Sequence, residues 1–190
     1  MARPRSDDKR NAILLAATQV FAERGLGAPT SAISGAAGVA EGTLFLYFKT
    51  KDDLLNALYC DIKQELADAM MAGFPRNKSV PLRLQHIWNC FTQWGVANPE
   101  RGRVLTQLQM SDRLTQESRV AGSAPFAEIE TMAKDAIAQH LLREIPLAFI
   151  SATMEALART TMNFMASTPA DAEKYQLLGF GMFWKAIAQR

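Results

Sequence analysis

Five side chains within nine residues, Thr43, Phe45, Tyr47, Lys49 and Lys51, supply one hydroxyl, two aromatics and two cations. That mixture suits a polyanion: cations and hydroxyls hold phosphate oxygens, while neighbouring side chains can reach base edges. Thr43 and Tyr47 stand four residues apart and share a helical face. Leu44 and Phe48 repeat that spacing on the adjoining apolar face, so the helix can lie on DNA without exposing its packed side. Lys51 belongs to the next element. Thr50-Lys51-Asp52-Asp53 fits a capping box, a hydroxyl followed three residues later by an acid, and predicts a helix start. A lysine in a first turn opposes the helix macrodipole, which makes sense where a phosphate occupies that helix end. The plainer alternative is a solvated surface lysine.

The stretch Pro29 to Lys51 must position these residues. It holds two short helical patterns, about 30–37 and 41–47, separated by Ala37-Gly38-Val39. Gly38 falls where the chain turns sharply, a place for a residue free to take positive φ. Two helices joined by a short glycine-containing turn form a helix-turn-helix, whose second helix can enter the major groove.

Nothing elsewhere points to catalysis. There is no nucleophile beside a base, no metal-ligand cluster and no phosphate-cradling glycine loop, so no catalytic residue, metal or cofactor is expected and the chain reads as a non-enzyme. Cys60 and Cys90 read as small buried hydrophobes, and His86 and His140 as structural. The 190 residues, 48% hydrophobic, suffice for a substantial core. No apolar run suggests a membrane span, and the charged N-terminus lacks a signal-peptide core, so a cytoplasmic protein is expected. Residues 1–51 hold seven basic against four acidic side chains, whereas the rest is nearly balanced. A basic end on a neutral body suits DNA contact at one end.

Helical periodicity runs throughout, and no strand pattern competes with it. The first helix opens at Ser6, with Asp7 and Asp8 in its first turn, and stops near Gly25. Arg3 and Arg5, ahead of it, read either as an arm reaching DNA or as an ordinary terminus. A long helix follows from Asp52 to about Met71, then helices over about 81–97 and 100–110. Residues 111–126 look less regular. Helices over about 126–143, 146–166 and 169–188 complete an all-α fold of about nine helices. We expect a DNA-binding domain over 1–51 and a larger helical ligand-binding and dimerisation domain over 52–190. The last two helices, about 147–166 and 170–188, are apolar on most sides and must bury two surfaces. One is the protein's own core and the other a second copy, giving a homodimer. Gly179 and Gly181 fit close approach of another helix there. Trp88, Phe91 and Trp94 form a stripe that reads as core or as the wall of an apolar pocket.

GVAEGTLFLYFKTKDDLL resembles the DNA-binding segment of TetR-family regulators, and the likeness extends over roughly residues 6 to 66. It implies that Thr43, Phe45, Tyr47 and Lys51 touch DNA, that Glu41 and Gly42 lead the reading helix, and that Thr30 and Ser31 lie near the phosphate-contacting start of the preceding helix. With Lys49 these form the candidate DNA-binding set. Ala40 departs from the usual capping serine or threonine, at a cost of about 1 kcal/mol to the helix. Glu41 either reads a cytosine amino group or avoids the phosphates. The family likeness also implies a homodimer on a palindromic double-stranded operator, released by a hydrophobic small-molecule effector. Similarity to a multidrug-responsive repressor of the family places Tyr59, Lys63, Leu84, Trp88, Ser151 and Met154 around that ligand, and Phe91 joins them from the stripe. Ser151 and Met154 replace the acidic and aromatic residues expected there, which removes a partner for planar cations. The competing readings are a ligand-independent DNA-binding regulator and, far behind, an enzyme with an apolar pocket.

Overall fold

A computed structural model describes residues 4–189, the side chains of 4–6 excepted. Arg3, and the side chains of Arg5 and Ser6, therefore lie outside the described residues. The described chain is all-α, as expected. Its helices are α1 (Pro4–Arg24), α2 (Thr30–Ala36), α3 (Glu41–Tyr47), α4 (Lys51–Met71), α5 (Val80–Ala97), α6 (Pro99–Met110), α7 (Gln116–Ser123), α8 (Ala127–Ala138), α9 (Leu147–Ser167) and α10 (Ala172–Ile187), with 3-10 turns at Ala124–Phe126 and Pro169–Asp171. The first helix thus starts two residues before Ser6, so Ser6 is not its cap. Among the described residues the sole β feature is one isolated bridge between Leu142 and Ala188. No helix there is long and apolar enough to cross a membrane.

The boundaries have local causes. Gly25 and Gly38 take φ of 76° and 65°, and end α1 and α2 as left-handed residues. The capping box at Thr50 forms reciprocally: Asp53 N–H donates to Thr50 Oγ1 and Thr50 N–H to Asp53 Oδ2, each at 3.0 Å. Asn98 and Pro99 separate α5 from α6. The helix expected to reach residue 143 stops at Ala138, because His140 turns left-handed at φ 56° and the Leu141 and Leu142 amides fold back onto the Ala136 carbonyl. α7 lies inside the stretch expected to be irregular. Its sequence, QESRVAGS, carries no apolar stripe, and its buried residue is Gly122, against which the Tyr59 ring lies. A glycine stands where a helical pattern would show a large side chain.

Compactness divides the chain differently from the expected break between 51 and 52. Pro99–Ser123 groups with the chain up to Gln64, and Glu65–Asn98 with the chain from Ala124 onward. In the first unit, Ile13, Phe21, Ile33, Leu44, Leu54, Leu55 and Leu58 are buried together with Tyr59. Polar contacts fasten the α6–α7 segment to α1 and α4. Arg103 donates to the Ala22 carbonyl (3.1 Å), Arg101 pairs with Asp61 (3.2 Å) and Arg113 with Asp52 (2.8 Å). Buried Asn56 donates to the carbonyls of Asp52 and Arg113 and accepts from the Thr115 amide. An amide with its donors and acceptor satisfied in this way fixes a register that apolar packing alone would leave free.

In the second unit α5, α9 and α10 pack together around Trp88. Its ring stacks on Phe183 (centroids 5.7 Å apart, 16° between planes), and its Nε1 donates to the Gln176 carbonyl at 3.0 Å. Gln176, also buried, donates to Thr92 Oγ1 at 2.8 Å. The two glycines of α10 part company here. A Cβ on Gly179 would strike Thr161 Oγ1 and the Trp88 ring, so the close approach inferred from sequence is made by α9 and α5 of the same chain. Gly181 faces open space.

Candidate nucleic-acid interface

α3 has only seven residues, too short to hold itself. Its anchors are Leu44, fully buried, and Phe48, 4% exposed, just after its last turn. The Arg10 guanidinium lies 5.6 Å from the centre of the Phe48 ring. Ala40 supplies no side-chain cap, as its type dictates. A partial substitute comes from α2: the Thr30 hydroxyl donates to Glu41 Oε1 at 2.6 Å, linking the first residues of the two helices. Glu41 is thus held across the motif, a contact between residues eleven apart that helical spacing could not show.

With Leu44 turned inward, α3 presents Glu41, Gly42, Phe45 and Leu46 outward, and Thr43 and Tyr47 half-buried beside them. Ser31 and Lys49 are exposed, and Thr30 and Lys51 half-buried. All nine candidate DNA-binding residues therefore lie on α2, α3, the turn after α3 and the first residue of α4. Lys51 sits with its ammonium 5.8 Å from the centre of the Phe21 ring. Burial, then the nearby Arg113 guanidinium, holds its pKa below the usual lysine value against the opposing pull of Asp52.

Two residues of this surface escaped the sequence reading. Leu46 is 83% exposed. It falls off the i, i+4 series of Leu44 and Phe48 and onto that of Gly42, and that register is the signal that could have found it. Arg113, more than sixty residues away in sequence, reaches the start of α4 through Asp52, with both side chains 54% exposed. No local pattern could have supplied it.

The expected ligand set is divided between the units. Tyr59, buried, and Lys63, half-buried, belong to the first. Leu84 and Trp88 are buried, Phe91 and Met154 half-buried and Ser151 exposed in the second. Trp88 is engaged by Phe183 and Gln176 as core. Among the described residues no group of histidine, cysteine, aspartate or glutamate could hold a metal ion. Cys60 and Cys90 are free, and burial pushes both thiols up in pKa, away from the reactive thiolate.

Residues 13–58 match the family described as bacterial regulatory proteins, tetR family. A TetR-family transcription regulator from Marinobacter aquaeolei VT8 superposes with a TM-score of 0.89 at 25% identity, covering 99% of this chain and 100% of that one. A putative tetR-family transcription regulator from Shewanella sp. PV-4 gives 0.86 at 28% identity, covering 96% and 99%. The TetR-like regulator LfrR of Mycobacterium smegmatis, solved in complex with proflavine, shares the fold at 18% identity (TM-score 0.67, covering 93% and 95%). The matched segment spans the helix-turn-helix just described, and the likeness to the first two regulators runs the length of the chain. Residues 13–58 thus carry the DNA-binding segment of tetR-family regulatory proteins, and the whole chain shares the fold of two TetR-family transcription regulators.

Proposed function

We propose that the protein is a homodimeric, cytoplasmic repressor that binds a palindromic operator through α2, α3 and the start of α4, and leaves it when a hydrophobic small molecule binds. The observation that carries the reading is the orientation of α3: Leu44 is buried while Gly42, Phe45 and Leu46 are exposed together. An apolar pair beside a glycine lets the helix backbone approach base edges and offers Leu46 and Phe45 to thymine methyl groups. Thr43, Tyr47, Lys49 and Lys51, with Ser31, surround that row with phosphate donors, while the Thr30 hydroxyl holds Glu41, which with Gly42 leads the row into the groove.

Dimerisation is supported by α9 and α10. Phe149, Phe164, Leu177, Leu178 and Met182 are 49–65% exposed, more large apolar surface on two neighbouring helices than isolated exposed residues explain. A second copy laid on these helices would bury them and bring two reading heads to a two-fold symmetric site.

The chain also resembles the multidrug-responsive repressor RamR, which supports effector control, with Leu84, Trp88, Phe91, Ser151 and Met154 of the second unit among its expected residues. A molecule that binds must favour a conformation unfit for the operator, since equal affinity for both states shifts nothing. The test is an anisotropy titration against DNA flanking the protein's own gene, repeated with drugs, bile acids, fatty acyl compounds and a planar cation such as proflavine. Release by at least one compound that binds the free protein is expected. An operator-bound fraction unmoved by every compound that demonstrably binds would leave a ligand-independent regulator.

A further inference from the structure

Glu41 places an acid on a surface proposed to meet a polyanion. At about 100° per residue, Glu41 and Phe45 fall on one line of α3 and Gly42 and Leu46 on the next. All four are exposed and form one outward face, turned away from the buried Leu44. That face carries a full negative charge at its leading end. Among the described residues Glu41 forms no ion pair, and its one polar contact is with a neutral group: the Thr30 hydroxyl donates to Oε1 at 2.6 Å.

The bond to Thr30 holds the carboxylate across the motif and leaves its second oxygen, Oε2, without a partner among the described residues. On a duplex that oxygen has few places to go. The phosphates repel it. In the major groove guanine offers two acceptors, thymine an acceptor and a methyl group, and adenine an acceptor beside its amino donor. Each of these sets a lone pair against the carboxylate. Cytosine alone offers a donor, its N4 amino group, with no acceptor of its own.

We propose, on the reading of α3 as the helix that enters the groove, that Glu41 is a specificity-determining residue whose free oxygen accepts from a cytosine N4 amino group. The operator half-site then carries a C·G pair under the leading end of α3. The carboxylate works by exclusion as much as by attraction, since any other base leaves a charge facing an acceptor. It also weakens binding to DNA that lacks the cytosine, which widens the gap between the operator and all other sequences. Thr30 is the positioning residue, keeping the carboxylate from swinging toward the backbone phosphates.

Selection of bound duplexes from a random-sequence pool, with the full chain as wild type, E41Q and E41A, tests it. E41Q keeps an oxygen for the Thr30 hydroxyl and so guards against a folding defect. The wild type is expected to enrich a motif with a C·G pair that E41Q moves toward A·T, because an amide pairs with adenine N6 and N7. E41A should leave that one position degenerate and the others unchanged. On the enriched duplex, replacing the cytosine by thymine should weaken the wild type at least about fivefold in anisotropy titrations, and E41A by less than about twofold. A motif that folded E41Q and E41A share with the wild type would overturn the assignment of Glu41 while leaving α3 as the reading helix. So would equal tightening of E41A on every duplex, the mark of a carboxylate that only repels phosphates. Failure of the wild type to enrich any motif would overturn both.

Discussion

α3 and α10 both leave large apolar side chains in water, Phe45 and Leu46 on the one, Leu177, Leu178 and Met182 on the other. They differ in how they are held. α3 has seven residues and one buried side chain, and depends on Phe48, the Thr30–Glu41 bond and the glycine turn before it. α10 has sixteen residues and a continuous buried face of Gln176, Gly179, Phe183 and Ile187, tied to Trp88 and Thr161. A short helix on a few anchors can present a reading surface while exposing little else. A long helix with one complete buried face leaves a second, apolar face in water.

The largest expected effect breaks the first half of that contrast. Leu44→Ala removes the one buried side chain of α3 and should cost the fold about 2–5 kcal/mol, read by urea unfolding, with loss of operator binding. Next, Leu178→Glu with Met182→Glu should leave far-UV circular dichroism unchanged while converting a dimer to a monomer in sedimentation equilibrium. A weakening of at least about 2 kcal/mol is expected if these are central interface residues. A dimer that survives both charges would show that α10 is covered by something else. Thr50→Ala should destabilise the start of α4 by about 1 kcal/mol, visible as faster amide exchange there. The smallest change sharpens the picture of α3. Thr30→Val, by removing one exposed hydrogen bond, should alter stability by about 0.5 kcal/mol, while lowering operator affinity if Glu41 must be held aside.

What the sequence made legible follows from range. The helix-turn-helix, its glycine, the capping box at Thr50 and the buried Leu44 and Phe48 are all set by residues within a few positions of one another. The family segment was recognisable for the same reason. α7 was not legible, because Gly122 yields its place to Tyr59 from a distant helix. The end of α8 was not, because His140 adopts a left-handed conformation that only tertiary context selects. Gly179 was read as a close approach of another helix without saying which, since spacing cannot name the neighbour; α9 and α5 of the same chain supply it, and Gly181 has none. Leu46 could have been found from its register, whereas Arg113 owes its significance to its contact with Asp52 across the fold.

We propose α3 and the first turn of α4 as a DNA-reading surface. Fluorescence anisotropy of the wild type and Lys51→Ala, on the gene-flanking fragment and a scrambled fragment at several salt concentrations, tests it most directly. Sequence-selective binding by the wild type is expected. Lys51→Ala should bind more weakly on both fragments, with the slope of log affinity against log salt reduced by about one. Equal affinity of the wild type for the two fragments, or a salt slope that Lys51→Ala leaves untouched, would contradict it.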